Sequence, residues 1–275
     1  MRRHRCWTLG RCGAVTVVLL LGMTSAAAVA QPLDMAARRA FMLTAEIVGE
    51  ERIGKGVTEP WRLTLSDGTL THDVGFQSVD ERRDQARLRG RVELGFIDAY
   101  RYNVAAYKVA ELVGLADMIP VTVERRWKSQ PGAMTWWVDD VMLDEAARLA
   151  ERRWPDDMLR FNEQHARMRM FAELVYDTDR NHGNILYDTD WRLWMIDFSR
   201  AFRIWGDLRA PQSLTRCDRS VLRLMRTLTR ESLRQHAGEH LNPGEVDAVL
   251  ERRDKLVRHF DALIAQRGEA AVLFD

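Results

Sequence analysis

Apolar and polar residues alternate with a period of two in three early stretches: "EIVGEERI" from Glu46, "WRLTLS" with Trp61, Leu63 and Leu65 on one side, and "LTHDVGFQSV" after it. That period predicts strands. The Asp67-Gly68 pair in "SDGT" predicts a hairpin turn between the second and third, and Pro60 ahead of the second suits a sheet edge. "DERRDQARLRGRVELGF" is charged throughout and predicts an exposed stretch. The spacing then lengthens: Tyr102, Ala105, Ala106, Val109, Leu112 and Val113 recur at helical intervals, and Gly114 is placed to end that helix. "MIPVTVERRW" and "AMTWWVDD", on either side of Pro131-Gly132, predict a second hairpin. After Pro155, Met158, Phe161, His165, Met168 and Phe171 share one face of a helix that runs to Val175. "ILY" and "RLWMI" then predict two short strands joined by the turn at Asp188-Thr189-Asp190. Two amphipathic helices follow, from Cys217 to Gly238 and from Pro243 to Gln266. Strands early and helices late predict an α+β protein with a short helical lead-in at 31–45, a sheet-rich N-lobe at 46–140 and a mostly helical C-lobe at 141–275.

The first thirty residues follow neither period. "MRRHRCWTLGRCG" is basic with no acidic residue, "AVTVVLLLGM" is apolar, and "TSAAAVAQP" offers small residues at Ala28 and Ala30. This order predicts a secretion signal peptide over residues 1–30, cleaved after Ala30, and hence an exported protein, periplasmic or extracellular. The alternative is an uncleaved membrane anchor, because the run from Ala14 to Ala30 reaches the short end of a bilayer span. Cleavage removes Arg2, Arg3, Arg5 and Arg11, which takes the formal charge from +1 to −3. Nothing in that balance suits nucleic acid or an anionic membrane surface. Cys6 and Cys12 leave as well, so Cys217 remains alone and no intrachain disulfide is expected. No later apolar run is long enough for a transmembrane span. With 46% apolar residues the chain can bury a proper core.

Candidate chemistry gathers in "YDTDRNHGNILYDTDWRLWMIDFSRAF", residues 176 to 202. Strands rise about 3.3 Å per residue, so a short hairpin returns the chain beside its starting point. Asp197 is therefore expected next to Asn184. A carboxylate and an amide oxygen side by side make a hard oxygen site suited to Mg2+ (or Mn2+), which takes few protein ligands and completes its shell with phosphate and water. Asp179, one loop away, is placed to accept a proton from an attacking hydroxyl. Phosphoryl transfer needs such an arrangement. Arg180 reads as a partner for Asp177. As plain turn chemistry the same Asp, Asn and Gly residues would only punctuate loops.

"DRNHGN" followed by "IDFS" resembles the D-R-x-x-x-N and I-D-F-G pair of the phosphoinositide 3/4-kinases. It is similar to HipA-type and secretory-pathway kinases, all within the protein-kinase-like superfamily. "YNVAAYKVAEL", "IPVTVER" and "RAFR" also resemble a bacterial group of uncharacterised kinase-like proteins, and the likeness covers roughly residues 45–265. The resemblance implies a two-lobed protein-kinase-like fold and ATP as the phosphate donor. It also implies Asp179 as catalytic base, Asn184 as a metal ligand and Asp197 as the principal Mg2+ ligand. The acceptor would be a hydroxyl on a protein, a lipid or a small molecule.

"IGKGVTEPWRL" sets Gly54 and Gly56 between the first two strands, where backbone N–H groups can approach a nucleotide's phosphates. The third strand departs from the family. Kinases carry a lysine there that pairs with the phosphates and with a glutamate on the following helix. Here Gln77 stands at the aligned position and Asn103 at that of the glutamate. Of the four lysines, Lys55, Lys108, Lys128 and Lys255, only Lys55 in the glycine turn is placed near a triphosphate. Two readings stay open: Lys55 supplies the missing charge from the loop, or it is a solvated turn residue. A Gln77–Asn103 pair also fits a catalytically degenerate pseudokinase, a nucleotide-binding or protein-interaction module. "HAGEH", 236–240, matches the H-x-x-E-H pattern of a zinc peptidase family, although Gly238 weakens a helix there and a fraying helix end accounts for the same residues.

Overall fold

A computed structural model describes residues 33–54, 60–88 and 91–275, so residues 1–32, which include the expected signal peptide, and the glycine-turn residues from Lys55 to Glu59 lie outside the described residues. Asp34 opens helix α1 (Met35–Thr44) by accepting the Ala37 N–H at 2.7 Å. Strands β1 (Glu46–Arg52), β2 (Trp61–Ser66) and β3 (Thr71–Gln77) follow as an antiparallel ladder. Their alternation buries Leu63, Leu65, Val74 and Phe76 on one face. The turn after β2 forms where expected, with Gly68 at φ 86° and the Asp67 carboxylate accepting the N–H groups of Thr69 and Leu70.

The charged stretch is more regular than its composition suggests. It forms a hairpin of its own, β4 (Asp80–Leu88) against β5 (Arg91–Ala99), separate from the main sheet. Glu81 through Gln85 are exposed, as expected; the backbone of the stretch pairs with itself nonetheless. Helix α2 (Arg101–Val113) comes next and is wrapped on nearly every side, with Tyr102, Ala105, Ala106, Tyr107, Val109 and Ala110 fully buried. Its alanines admit close neighbours, and Gly114 ends it at φ 74°.

Strands β6 (Thr122–Trp127) and β7 (Gln130–Trp136) complete the sheet in the order β1-β2-β3-β7-β6. Two expectations change here. β2 lies between β1 and β3 and is no edge; Pro60 is tolerated because it precedes the strand, where its carbonyl accepts the Ile53 N–H at 2.9 Å. The β6–β7 turn sits at Lys128-Ser129, both at positive φ (47° and 66°), and not at Pro131-Gly132. Gly132 lies inside β7, where a Cβ would come within 2.5 Å of the Phe76 ring.

The C-terminal part opens with β8 (Val141–Asp144), α3 (Glu145–Glu151) and α4 (Met158–Leu174). The predicted short hairpin follows as β9 (Ile185–Asp188) and β10 (Leu193–Met195), with Tyr187 opposite Leu193 and Ile185 opposite Met195. After β11 (Cys217–Asp218) the first of the two predicted closing helices divides into α5 (Arg219–Thr227) and α6 (Arg230–Ala237), because Thr229 starts a fresh helix with a capping box. Then come α7 (Pro243–Arg267), α8 (Glu269–Val272) and β12 (Leu273–Phe274), which pairs in parallel with β11. No described helix is long and apolar enough to cross a membrane. The architecture is α+β, sheet-rich at the N-terminal side and helical at the C-terminal side, over one continuous core that runs from Phe41 to Leu273.

A largely buried ion pair and a buried guanidinium brace it. Arg101 at the start of α2 makes a two-pronged contact with Glu245 at the start of α7 (2.8 and 3.0 Å), and the Tyr102 hydroxyl donates to the same carboxylate at 2.6 Å. Arg252 in α7 is fully buried and donates to the carbonyls of Leu174, Arg203 and Trp205 at 2.6 to 2.9 Å.

Candidate active site

The chain leaves α4 through a left-handed residue, Tyr176 (φ 50°), and enters the loop that ends at β9. Asp177, fully buried, shapes that loop: Oδ1 accepts the Asp179 N–H at 3.0 Å and Oδ2 pairs with Arg180 at 2.6 Å. Arg180 then reaches across, donating to the carbonyls of Asn184 (2.8 Å) and Ile196 (2.6 Å), with its guanidinium 4.2 Å over the Phe198 ring. The pairing of Arg180 with Asp177 was legible; its second task, tying the loop before β9 to the loop after β10, was not.

The fold-back does what its length requires. The Ile196 N–H donates to the Asn184 carbonyl at 3.1 Å, so Asn184 and Asp197 stand side by side at the mouth of the hairpin. Asn184 Nδ2 donates to the Asp179 carbonyl at 3.0 Å, which leaves Oδ1 as the open acceptor of that amide. Asp197 sits at φ 55°, an uncommon conformation for a non-glycine residue and one that clusters at functional sites. Its Oδ1 accepts from the Ser199 hydroxyl at 2.8 Å and from the Ser199 N–H at 3.3 Å. Asp179, Asn184 and Asp197 therefore meet in one place.

Gln77 joins them from the sheet side. Asn103 Nδ2 donates to Gln77 Oε1 at 2.7 Å, and Asn103 Oδ1 accepts the Phe198 N–H at 2.6 Å. The amide pair anticipated between β3 and α2 thus exists, and it extends to the residue after Asp197. The β1–β2 turn shares this end of the sheet, since Arg52 pairs with Trp61 and Trp61 with Phe76. Gly54 is exposed and nothing would crowd a Cβ there; Lys55 and Gly56 lie outside the described residues.

Three participants escaped sequence reasoning. Arg200 pairs with Asp179 at 3.3 Å and also with Glu93 of the β4–β5 hairpin. Arg203, 2% exposed, pairs with the same Glu93 at 2.8 Å and donates to the Ile97 carbonyl at 2.9 Å. Asp98 lies beside the Asp197 loop, since its neighbour Ala99 donates to the Ser199 carbonyl at 2.8 Å; burial first, and the Asp197 charge after it, raise its carboxyl above the usual range, against the lowering pull of Ser199 and Arg200. The "RAFR" string carried the arginines, but no local signal paired them with a strand a hundred residues earlier.

A hard cation fits these residues: Asp98 Oδ1 is buried without a hydrogen-bond partner, Asp197 forms no ion pair among the described residues, and the Asn184 oxygen is open. Among the described residues no three Asp, Glu, His or Cys side chains converge enough to hold an ion alone, so water or phosphate would complete its shell. The "HAGEH" histidines have other tasks. His236 contacts Glu111 at 2.8 Å, and His240, 5% exposed, contacts Glu124 at 3.2 Å.

The sequence matches no protein-family model. It matches no curated protein either. Solved structures do resemble it. A Fam20 protein from hydra, solved with sugar, superposes with a TM-score of 0.63 at 13% identity, over 87% of this chain and 92% of that one. A Golgi casein kinase superposes with a TM-score of 0.62 at 12% identity, over 87% of this chain and 78% of that one. The same kinase with Mn/ADP bound gives 0.61. This chain has a protein-kinase-like fold, similar to those of secretory-pathway kinases.

Proposed function

We propose that the protein is an ATP-dependent phosphotransferase that moves the γ-phosphate to a hydroxyl acceptor. One observation carries the reading: the Ile196 N–H on the Asn184 carbonyl and the Asn184 amide on the Asp179 carbonyl bring Asp179, Asn184 and Asp197 together at the mouth of the hairpin. The Golgi casein kinase crystallised with Mn/ADP supports a nucleotide and a divalent cation for this fold. Mg2+ or Mn2+ held by Asp197 and Asn184 would neutralise the phosphate charge. Asp179 orients the acceptor hydroxyl and takes its proton as the oxygen attacks the γ-phosphorus; the bond from γ-phosphorus to the β–γ bridging oxygen breaks, and ADP leaves. Arg200 holds the Asp179 carboxylate in position. The acceptor's class, whether protein, lipid or small molecule, stays open.

Export belongs to the same proposal, on the strength of residues 1–30; N-terminal sequencing of native protein should read Gln31 first. For activity, radiolabelled ATP is incubated with candidate acceptors and with water. Asp179→Ala and Asp197→Ala should each lower transfer roughly 100-fold or more, and Mg-ATP should raise the melting temperature of the parent chain. A chain that Mg-ATP does not stabilise, and whose cellular effect survives both substitutions, is an interaction module.

A further inference from the structure

Two carboxylates flank the Ser199 loop at this site. Asp197 and Asp98 form no ion pair among the described residues; Asp197 is half-buried, and Asp98 is 9% exposed with an Oδ1 that meets no donor. A buried charge left unpaired is costly, so such groups are neutralised or bind a metal. Among the described residues, the donors that act on these carboxylates have other partners as well. The Ser199 hydroxyl acts on both carboxylates, yet it has one proton, which it donates to Asp197. Arg200, the cation that acts on Asp98, is engaged with Glu93 and Asp179. The neighbouring amides carry no charge, and Asn103 directs its Nδ2 to Gln77.

We propose that Asp98 is a second carboxylate ligand of the divalent-cation seat, so that one ion bridges Asp98 and Asp197 and binds before nucleotide arrives. This rests on the phosphotransferase reading and adds to it a ligand from the β4–β5 hairpin. Position supports it. Asp98 is the penultimate residue of β5, and the last, Ala99, donates its N–H to the Ser199 carbonyl at 2.8 Å, which fixes the strand end against the Asp197 loop. Two carboxylates also bind a hard cation more tightly than one carboxylate and an amide. The hairpin would then do for the cation what the missing strand lysine does for phosphates elsewhere: it places fixed charge at the reaction centre from the sheet side.

The test is Mn2+ binding to the full chain, read from the loss of the free-ion magnetic-resonance signal, with and without ADP. The parent should bind one Mn2+ without nucleotide, and Asp98→Asn and Asp197→Asn should each weaken that binding roughly tenfold or more. In chelator, Asp98→Asn should melt at or above the parent, because a repulsion is gone. If Asp197→Asn weakens Mn2+ and Asp98→Asn does not, Asp98 is no ligand while the phosphotransferase reading stands. If the parent takes no Mn2+ even with ADP, both fall. Should Asp98→Asn not fold, Ser199→Ala answers instead. Losing the shared hydroxyl makes the carboxylates depend more on the ion, so Mn2+ should raise its melting temperature by more than it raises the parent's; an equal or smaller rise overturns the proposal.

Discussion

The two sides of the candidate site are held by different forces. On the helical side, the loops around Asp179 and Asp197 are fastened by charge: Asp177 to Arg180, Asp179 to Arg200, Arg200 and Arg203 to Glu93, with buried Arg252 behind them. On the sheet side, β3 meets α2 through two neutral amides, Gln77 and Asn103. Charge networks in a low dielectric set geometry firmly but lose much when one partner goes, whereas neutral amides cost little and fix less. The firmer geometry therefore lies on the side of Asp179 and Asp197. On the proposed function, nucleotide affinity must come from the cation and the glycine turn more than from the third strand.

The largest stability effect should come from breaking the charged side at its buried anchor. Arg252→Met removes the donor to three carbonyls and leaves them unpaired in the core. Burial lowers this guanidinium to about 10, which still leaves it charged at neutral pH. We expect a loss of about 3 kcal/mol, or a fall in melting temperature of roughly 6–12 °C for a chain of this size. A change of less than about 2 °C would mean that the Arg252 guanidinium does not hold this frame.

Acid should act next, and on the same side. His240 lies beside the Arg101–Glu245 strut, its carbonyl accepting from Arg101 at 2.5 Å, with Lys108, Glu239 and Glu124 also facing the residue. Burial first, and then Lys108, lower its pKa from 6.5 to about 4. The unfolded chain therefore takes up a proton near pH 6.5 that the folded chain refuses until about pH 4. Stability from this group is complete above pH 6.5 and declines as pH falls toward 4, by on the order of 2 kcal/mol at pH 5. Denaturant midpoints measured from pH 7 to 4.5 should drop in the parent and drop less in His240→Gln; parallel curves would reject the assignment.

These charged contacts are also where the sequence was least legible. β1 to β3, α2, α4 and the β9–β10 hairpin could be read because buried positions repeat with the period of the element. The meeting of Asp179, Asn184 and Asp197 could be read because it depends on the length of one short hairpin. The β4–β5 hairpin could not: its faces are too charged to show alternation, and it pairs outside the main sheet. Glu93 and Arg200 are 107 positions apart, and nothing local ties one to the other. Asp98 was hidden for the same reason, since its meaning depends on where β5 ends. The Lys128-Ser129 turn was masked by a Pro-Gly pair that proved to belong inside β7, where Gly132 serves a ring contact and not a bend.

The smallest effect should be the most telling about the neutral side. If Gln77 and Asn103 occupy the places of a lysine–glutamate pair, restoring the charges together should be tolerated far better than restoring either alone. Asn103→Glu keeps an oxygen for the Phe198 N–H but sets a carboxylate at a position 6% exposed, close to Asp197 and without a cation. Gln77→Lys brings an ammonium to the same spot with no carboxylate on α2 to receive it. Each single change should destabilise the chain, and the double variant should recover about 1 kcal/mol relative to their sum. A double-mutant cycle by urea unfolding measures that coupling. Nucleotide affinity of the double variant should rise if the strand position faces phosphates. Strict additivity would show that the two amides are not a charge pair in neutral dress, and the sheet side would then have to find its phosphate contacts in the β1–β2 turn alone.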